Sequence, residues 1–330
     1  MYDVVCIGSA TQDVFVLSKQ ARIVRIQDLD GEAAFLAFEY GGKIMVDNLF
    51  ISTGGGASNT AIALAKLGMK AGIVCEVGED DPARQIRRAL EGVGVDCSMI
   101  ITNPGIATGY SVILTGFTGD RTVLVHRGAA RDLSRGEVAW DQLKGTKWIY
   151  LGALAGPSAA LWEEVGRFAC ENGLKLAVNP GADQIRLGLV GLKPVLECTE
   201  VIFVNEAEAY RIAGVEEKCG DEDECLTMRA LHEAGCRLVV MTNGAEGARA
   251  YDGEAVYQVP ARPVEVVSTL GAGDAFASGC ISALFRGLDL RSALLAGNLN
   301  ASSVVGSLGA TVGLLTWEEV EGGLARNEDK

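Results

Sequence analysis

The stretch Ser268-Thr269-Leu270-Gly271-Ala272-Gly273-Asp274-Ala275-Phe276 sets three small residues and a carboxylate at the head of an apolar segment. With the preceding Val264 to Val267 it has the form of a strand, a glycine turn and a helix start. At such a turn Gly271, Ala272 and Gly273 leave consecutive backbone N–H groups bare. Together with the helix dipole, those groups form a pocket for an oxyanion or a phosphoryl group in transit. Asp274 in the first turn suits the helix as a dipole partner. It equally suits a base, because a carboxylate beside an anion hole can accept the proton of an attacking hydroxyl. The glycine pattern by itself leaves both roles open.

Three further groups carry polar chemistry. Asn205 and Glu208 follow the apolar run Val201 to Val204. An amide oxygen and a carboxylate three residues apart on one helical turn can hold the water shell of magnesium, and the same pair makes a good helix cap. Asp13 lies just beyond the first apolar run, where a carboxylate can take paired hydroxyls of a polyol in charge-assisted hydrogen bonds. Gly54 and Gly55 permit close backbone approach or a plain turn, and Asn59 offers a hydroxyl both a donor and an acceptor or simply opens a helix.

The elements that must position these groups show in the apolar pattern. Val4-Val5-Cys6-Ile7 is a short β-branched run ended by Gly8, and similar runs stand at 72–75, 148–151, 176–179, 201–204 and 238–241. Helical patterns lie between them, from Ser58 to Leu67, Pro82 to Glu91, Leu161 to Asn172 and Glu224 to Ala234. Each meets a glycine (Gly68, Gly92, Gly173, Gly235) where a left-handed cap is easiest. The alternation predicts an α/β sandwich with a mostly parallel sheet and helices on both faces. Residues 14–52 and 108–126 break the rhythm with extended patterns and a hairpin turn around Gly116 to Asp120, which predicts a small separate sheet. The charge-dense Glu216-Glu217-Lys218 and Asp221 to Glu224 read as a solvated loop leading into a helix.

Composition narrows the function. In 330 residues, 42 are glycine and only 7 proline, which suits many tight strand-to-helix turns. The net charge of −14 repels a phosphate backbone, so nucleic acid is not an expected partner. The chain has no run of eighteen apolar residues and no basic leader, so a cytoplasmic protein without membrane contact is expected. Nine scattered cysteines without a Cys-x-x-Cys pair read as small buried side chains in a reducing compartment. Two histidines, His126 and His232, are too few for a multi-histidine zinc site and leave acid–base work to carboxylates.

The string from Ser268 to Phe276 closely resembles the Asp-Thr-x-Gly-Ala-Gly-Asp-x-Phe signature of the ribokinase-like, or phosphofructokinase-B, carbohydrate and nucleoside kinases. Gly54-Gly55-Gly56-Ala57-Ser58-Asn59, Asn205-Glu206-Ala207-Glu208 and Thr242-Asn243-Gly244-Ala245-Glu246-Gly247 are similar to three more family motifs, in the family's order. The resemblance implies a ribokinase-like three-layer sandwich. It would be a single kinase domain over residues 1–330, with lid segments near 14–52 and 108–126 inserted into a core of 1–13, 53–107 and 127–330. It further implies transfer of the γ-phosphoryl group of ATP, with Mg2+, to a hydroxymethyl group of a sugar, or alternatively of a nucleoside. Asp274 would be the general base, with Gly271, Ala272 and Gly273 as the anion hole. Asp13, Gly54, Gly55 and Asn59 would hold the acceptor, and Asn205 and Glu208 would handle magnesium through water. Asn205, Thr242, Gly244, Gly247 and Asn298 would meet the nucleotide, and the lid would pair two subunits in a homodimer. One departure stands out: potassium-activated members usually begin the signature with aspartate, and Ser268 stands there instead.

Two competing enzyme classes fail on inspection. Gly8-Ser9-Ala10-Thr11-Gln12-Asp13 lacks the second and third glycines of a dinucleotide fingerprint. The only Gly-Lys pair, Gly42-Lys43, is followed by Ile44 and not by the Ser or Thr of a P-loop. A catalytically silent sugar-binding protein on the same fold is the third alternative, against which the retained Asp274 argues. Phe35, Phe38 and Tyr40 in the lid segment would be available to stack on a base, which keeps a nucleoside acceptor in view.

Overall fold

The structure, a computed structural model, describes residues 1–28, 31–115, 121–215 and 221–328. The expected turn at Gly116 to Asp120 and the charged Glu216-Glu217-Lys218 lie outside the described residues. The strands are β1 (Val4–Ile7), β2 (Thr11–Leu17), β3 (Arg22–Asp28), β4 (Gly31–Ala37) and β5 (Asn48–Gly54), then β6 (Ala71–Gly78), β7 (Ile100–Asn103), β8 (Gly109–Thr115), β9 (Arg121–His126) and β10 (Trp148–Leu151). They continue with β11 (Lys175–Val178), β12 (Val201–Asn205), β13 (Leu238–Thr242), β14 (Ala248–Tyr251) and β15 (Val256–Val259). The helices are α1 (Gly56–Lys66), α2 (Asp81–Glu91), α3 (Trp140–Leu143), α4 (Leu161–Glu171), α5 (Ala182–Ile185) and α6 (Gly188–Leu196). After these come α7 (Glu206–Ala213), α8 (Asp221–Glu233), α9 (Ala272–Phe285), α10 (Leu290–Val305) and α11 (Trp317–Glu328).

The main sheet runs β15-β14-β13-β12-β11-β10-β1-β6-β7. The pairs from β13 through β7 are parallel and only β14 and β15 are antiparallel, which matches the expected mostly parallel sheet. Alternation along each strand feeds two cores. Val4 and Cys6 pack with Leu64, Phe276 and Leu294 of α1, α9 and α10, whereas Val5 and Ile7 pack with Trp162, Leu196 and Leu231 of α4, α6 and α8. Both faces are therefore buried, the condition under which parallel strands read as unbroken apolar runs. The chain leaves β1 toward β6 on one side and β10 on the other, so the strand order reverses at the carboxyl end of β1. In open α/β sheets a ligand crevice forms at such a point.

The small separate sheet is present, in the order β5-β2-β8-β9. It begins at Thr11 and runs to Gly54, so Asp13 lies inside a lid strand and not in the loop after β1. β3 and β4 do not join it. Among the described residues they pair with each other alone, antiparallel. The expected left-handed glycine caps occur at Gly68, Gly173 and Gly235, but Gly92 is right-handed and the positive-φ residue is Gly94. No strand forms over Val264 to Val267; instead the N–H groups of Val267 and Ser268 both donate to Val305 O, at 2.8 and 3.1 Å. Glu224, counted among the solvated acids, is buried and ion-paired with Arg249.

Candidate active site

Two helix N-termini converge where the lid meets the sheet. α1 starts at Gly55, whose φ of 93° and close packing on Ser9 O exclude any side chain. Its first amides are already engaged, Ala57 and Ser58 N–H donating to Ser9 O and Gly56 N–H to Ser9 Oγ. α9 starts at Gly271, which is left-handed at φ 80° and sits so close to Ala310 that a Cβ would overlap it. No side chain caps α9. Ala272 N–H makes only a long 3.4 Å bond to Thr269 O, and the N–H groups of Gly273 and Asp274 have no hydrogen bond among the described residues. Free first-turn donors are what binds an anion. No atom lies near the position a Gly273 Cβ would take, so the approach is open.

Asp274 is held by Asn59, whose Nδ2 donates to Asp274 Oδ2 at 2.9 Å across 215 residues of sequence. Burial pushes its carboxyl up to about 6, the Asn59 hydrogen bond works against that rise, and the negative charge of Asp13 adds to it. A pKa near the working pH is what a general base requires. Asn59 is itself buried, and its Oδ1 has no hydrogen-bond partner among the described residues. Such an orphaned acceptor calls for an explanation, and a hydroxyl donor from a ligand supplies one.

Asp13 is buried in β2, flanked across the strands by Ser52 of β5 and Ser111 of β8. Burial raises its carboxyl above the ordinary value, while hydrogen bonds from Ser111 and Thr11 oppose the rise. A Cβ on Gly54 would fall onto the Asp13 carboxylate, so the glycine is required by this close approach. Asp13, Gly54, Gly55, Asn59 and Asp274 are thus drawn together. Ser52 and Ser111 were not singled out, because a serine in a strand carries no motif and only the strand register sets it beside Asp13.

A cleft of about 500 Å³ opens on the other side of the α9 N-terminus. Thr242, Gly244, Gly247, Asn298, Ala272 and Gly273 all line it. Asn298 is buried and its Nδ2 donates to Pro260 O, so it also ties α10 to the strand-end loop after β15. Much of the remaining wall is apolar, from Val264, Val266, Phe276 and Val305, with Arg262 at its margin. No nucleotide role is legible in the sequence for these four, because an apolar residue carries no motif and only the packing of the 261–269 segment against α9 and α10 brings them to one wall.

Asn205 and Glu208 stand at the carboxyl end of β12 but do not line that cleft. They form a complete capping box: Asn205 Oδ1 accepts from Glu208 N–H, and Glu208 Oε2 accepts from Asn205 N–H, both at 2.9 Å. The cap engages Glu208 through Oε2 and leaves Oε1 outside its two bonds. Burial raises the Glu208 carboxyl, while the Asn205 hydrogen bonds and Arg211 oppose the rise.

The model of the pfkB family of carbohydrate kinases matches residues 1–317. An ATP-dependent ribose-1-phosphate kinase of Halopiger xanaduensis is 29% identical over 289 residues, covering 88% of each chain. A nucleoside kinase of Methanothermobacter thermautotrophicus is 28% identical over 239 residues, covering 72% of this chain and 74% of its own. The solved structure of Arabidopsis thaliana ribokinase complexed with ribose and ATP superposes with a TM-score of 0.80 at 21% identity, covering 98% of both chains. The three-layer sandwich with its small accessory sheet is that fold.

Proposed function

Because the chain belongs to the pfkB family of carbohydrate kinases, phosphotransferases with an alcohol group as acceptor, we propose that it transfers the γ-phosphoryl group of ATP to a hydroxymethyl group of a sugar or sugar-like small molecule, with Asp274 as general base. One observation carries this reading: adjacent residues on the first turn of α9 serve two different spaces. Gly273 lines the cleft with Thr242, Gly244 and Asn298, while the carboxylate of Asp274 turns to Asn59 and feels Asp13. A group entering from the cleft would reach the free N–H donors of Gly273 and Asp274 beside the base. Phosphoryl transfer asks mainly for positioning and charge neutralisation at such a point.

In this scheme Asp13 and Asn59 hold acceptor hydroxyls, Asp274 takes the proton of the attacking one, and the α9 amides face the transferring group with Gly271 and Ala272 shaping the turn. Thr242, Gly244, Gly247 and Asn298 bind the nucleotide, and Asn205 orients Glu208 through the cap. A magnesium ion bound with ATP supplies charge neutralisation. Glu208 fits its water shell through Oε1, the carboxylate oxygen that the cap leaves free. The chain then acts as one kinase unit in the cytoplasm, with the β5-β2-β8-β9 sheet as lid over the acceptor and as the surface that pairs two copies.

The groups around Asp13 are hydroxyls, carboxylates and an amide, which suits a polyol. Of the aromatic residues that would favour a nucleobase, Phe35 is half exposed on the β3–β4 hairpin, Tyr40 is fully exposed, and Phe38 alone is partly buried. A nucleoside therefore ranks second, with the nucleoside kinase relative as its support. A coupled ADP-release assay across ribose, fructose, 2-keto-3-deoxygluconate, ribose 1-phosphate, fructose phosphates and nucleosides decides among them. Turnover with none of these, together with sugar binding, would replace the kinase reading with a silent binding protein.

A further inference from the structure

The sequence reading took the cysteines as buried, yet Cys170 is exposed and Cys198 only partly buried. Cys170 lies in the last turn of α4, and Cys198 lies in the turn that leads from α6 to β12. The two helices touch at Gly166, where a Cβ would stand 3.2 Å from Val195 Cγ1 and 3.4 Å from Val195 Cα. Cys170 follows Gly166 by four residues, one turn further along α4. Cys198 follows Val195 by three, and its N–H donates to Val195 O at 3.0 Å, so the turn is maintained. The same side of the contact is thus continued one turn on, which sets Cys170 and Cys198 beside each other at its end. A disulfide needs Cα atoms about 4.4–6.8 Å apart, a range that such close helix contact can supply. Cys75 and Cys97 also lie near one another, but Cys75 is fully buried.

We propose that Cys170 and Cys198 form an oxidisable dithiol, a modification site that closes an intramolecular disulfide between α4 and α6 when the protein meets hydrogen peroxide. The exposed Cys170 thiolate attacks one peroxide oxygen, the O–O bond breaks, and hydroxide leaves a sulfenic acid behind. Cys198 then attacks the Cys170 sulfur; the S–S bond forms, the S–O bond breaks, and the oxygen departs as water with the proton Cys198 gives up. Two thiols lose two electrons and peroxide gains them, ending as two waters. Burial and the neighbouring Cys170 push the Cys198 thiol up to about 12, which suits the resolving partner and not the attacking one.

The pair precedes the amino ends of β11 and β12, whereas Asp274, Asn205 and Thr242 lie at the carboxyl edge of the sheet. The bridge therefore spans residues 170–198 without reaching the candidate active site.

The test exposes the purified protein to hydrogen peroxide, traps remaining thiols with N-ethylmaleimide, and measures intact mass and non-reducing peptide maps. The expected result is a loss of about 2 Da, a single peptide pair joining Cys170 to Cys198, and reversal by dithiothreitol. Either Cys170→Ser or Cys198→Ser should abolish that bridge while leaving kinase turnover within about twofold. Should a variant misfold, the peptide map of the unaltered protein still decides. A gain of about 32 Da at Cys170, a bridge to any other cysteine, or a linked pair of chains would each overturn the proposal.

Discussion

Replacing Asn59 with alanine removes the one interaction that opposes the raised proton affinity of Asp274. The hydrogen bond runs from an amide N–H to the carboxylate, so it favours the charged form, and its loss raises the carboxyl further. A hydrogen bond to a charged group contributes about 1.5–3 kcal/mol, and about 1.4 kcal/mol corresponds to one pH unit. Water entering the vacated space restores part of this, so a displacement of about one unit is expected. The unaltered enzyme should show kcat/KM falling tenfold per pH unit below about 6. In Asn59→Ala that limb should move to about pH 7. Asn59 also faces the acceptor, so the variant loses activity at every pH, and the level of activity is not the readout. The ratio of the two kcat/KM values is: it should be about tenfold larger at pH 5 than at pH 8.5. The profile is recorded at saturating magnesium in an ADP-release assay that uses the best acceptor. Two profiles differing only by a constant factor would refute the link between Asn59 and the base, and a flat profile from pH 5 to 8 would remove Asp274 from that role.

Asp274→Asn should lower kcat by roughly 10² to 10⁴ while nucleotide affinity is kept. Because the folded carboxyl lies above its unfolded value, its contribution to stability is full at low pH and is lost as pH rises through about 6. The asparagine variant should therefore gain about 2 kcal/mol over the parent between pH 4 and pH 8 in denaturant titrations; an unchanged difference would contradict the raised carboxyl. Asp13→Ala should raise the acceptor KM with ATP binding unaltered, and equal losses for both ligands would indicate misfolding. Ile26 and Phe35 on the free hairpin and Leu49, Ile51 and Leu124 on the lid are about half exposed, an association hazard for a lone chain. Light scattering at micromolar concentration should give a dimer, and a monomer alone would sink the lid-pairing proposal. Ser268 Oγ accepts from Leu270 N–H and so serves the turn before α9, without the charge an aspartate would bring to a cation. kcat/KM at constant ionic strength should stay flat when K+ replaces a bulky organic cation, and a tenfold activation would contradict it.

The alternation of short apolar runs with helical segments was enough to predict the layered α/β core. Burial on both faces of β1, β6, β10, β11, β12 and β13 gives each strand an apolar run of three or more residues, a signal local in the chain. The candidate anion site was equally legible, because Gly271, Ala272, Gly273 and Asp274 are consecutive and one turn of backbone contains the whole device. The segment 264–267 misled, since a run of valines has the composition of a strand while its N–H groups find Val305 O in place of a strand partner. The lid was seen as one extended region, whereas register alone separates the β3–β4 hairpin from β2, β5, β8 and β9.

Individual side chains and short motifs were therefore written in the sequence, and their relations across distance were not. That Asn59 donates to Asp274 and that Ser52 and Ser111 flank Asp13 both depend on which elements pack together. The proton affinity of Asp274 belongs to the same class. Its carboxylate is the same group in any sequence context, and only the removal of water by the packing of α1 against α9, with Asp13 brought near by β2, moves it toward the pH at which a base works.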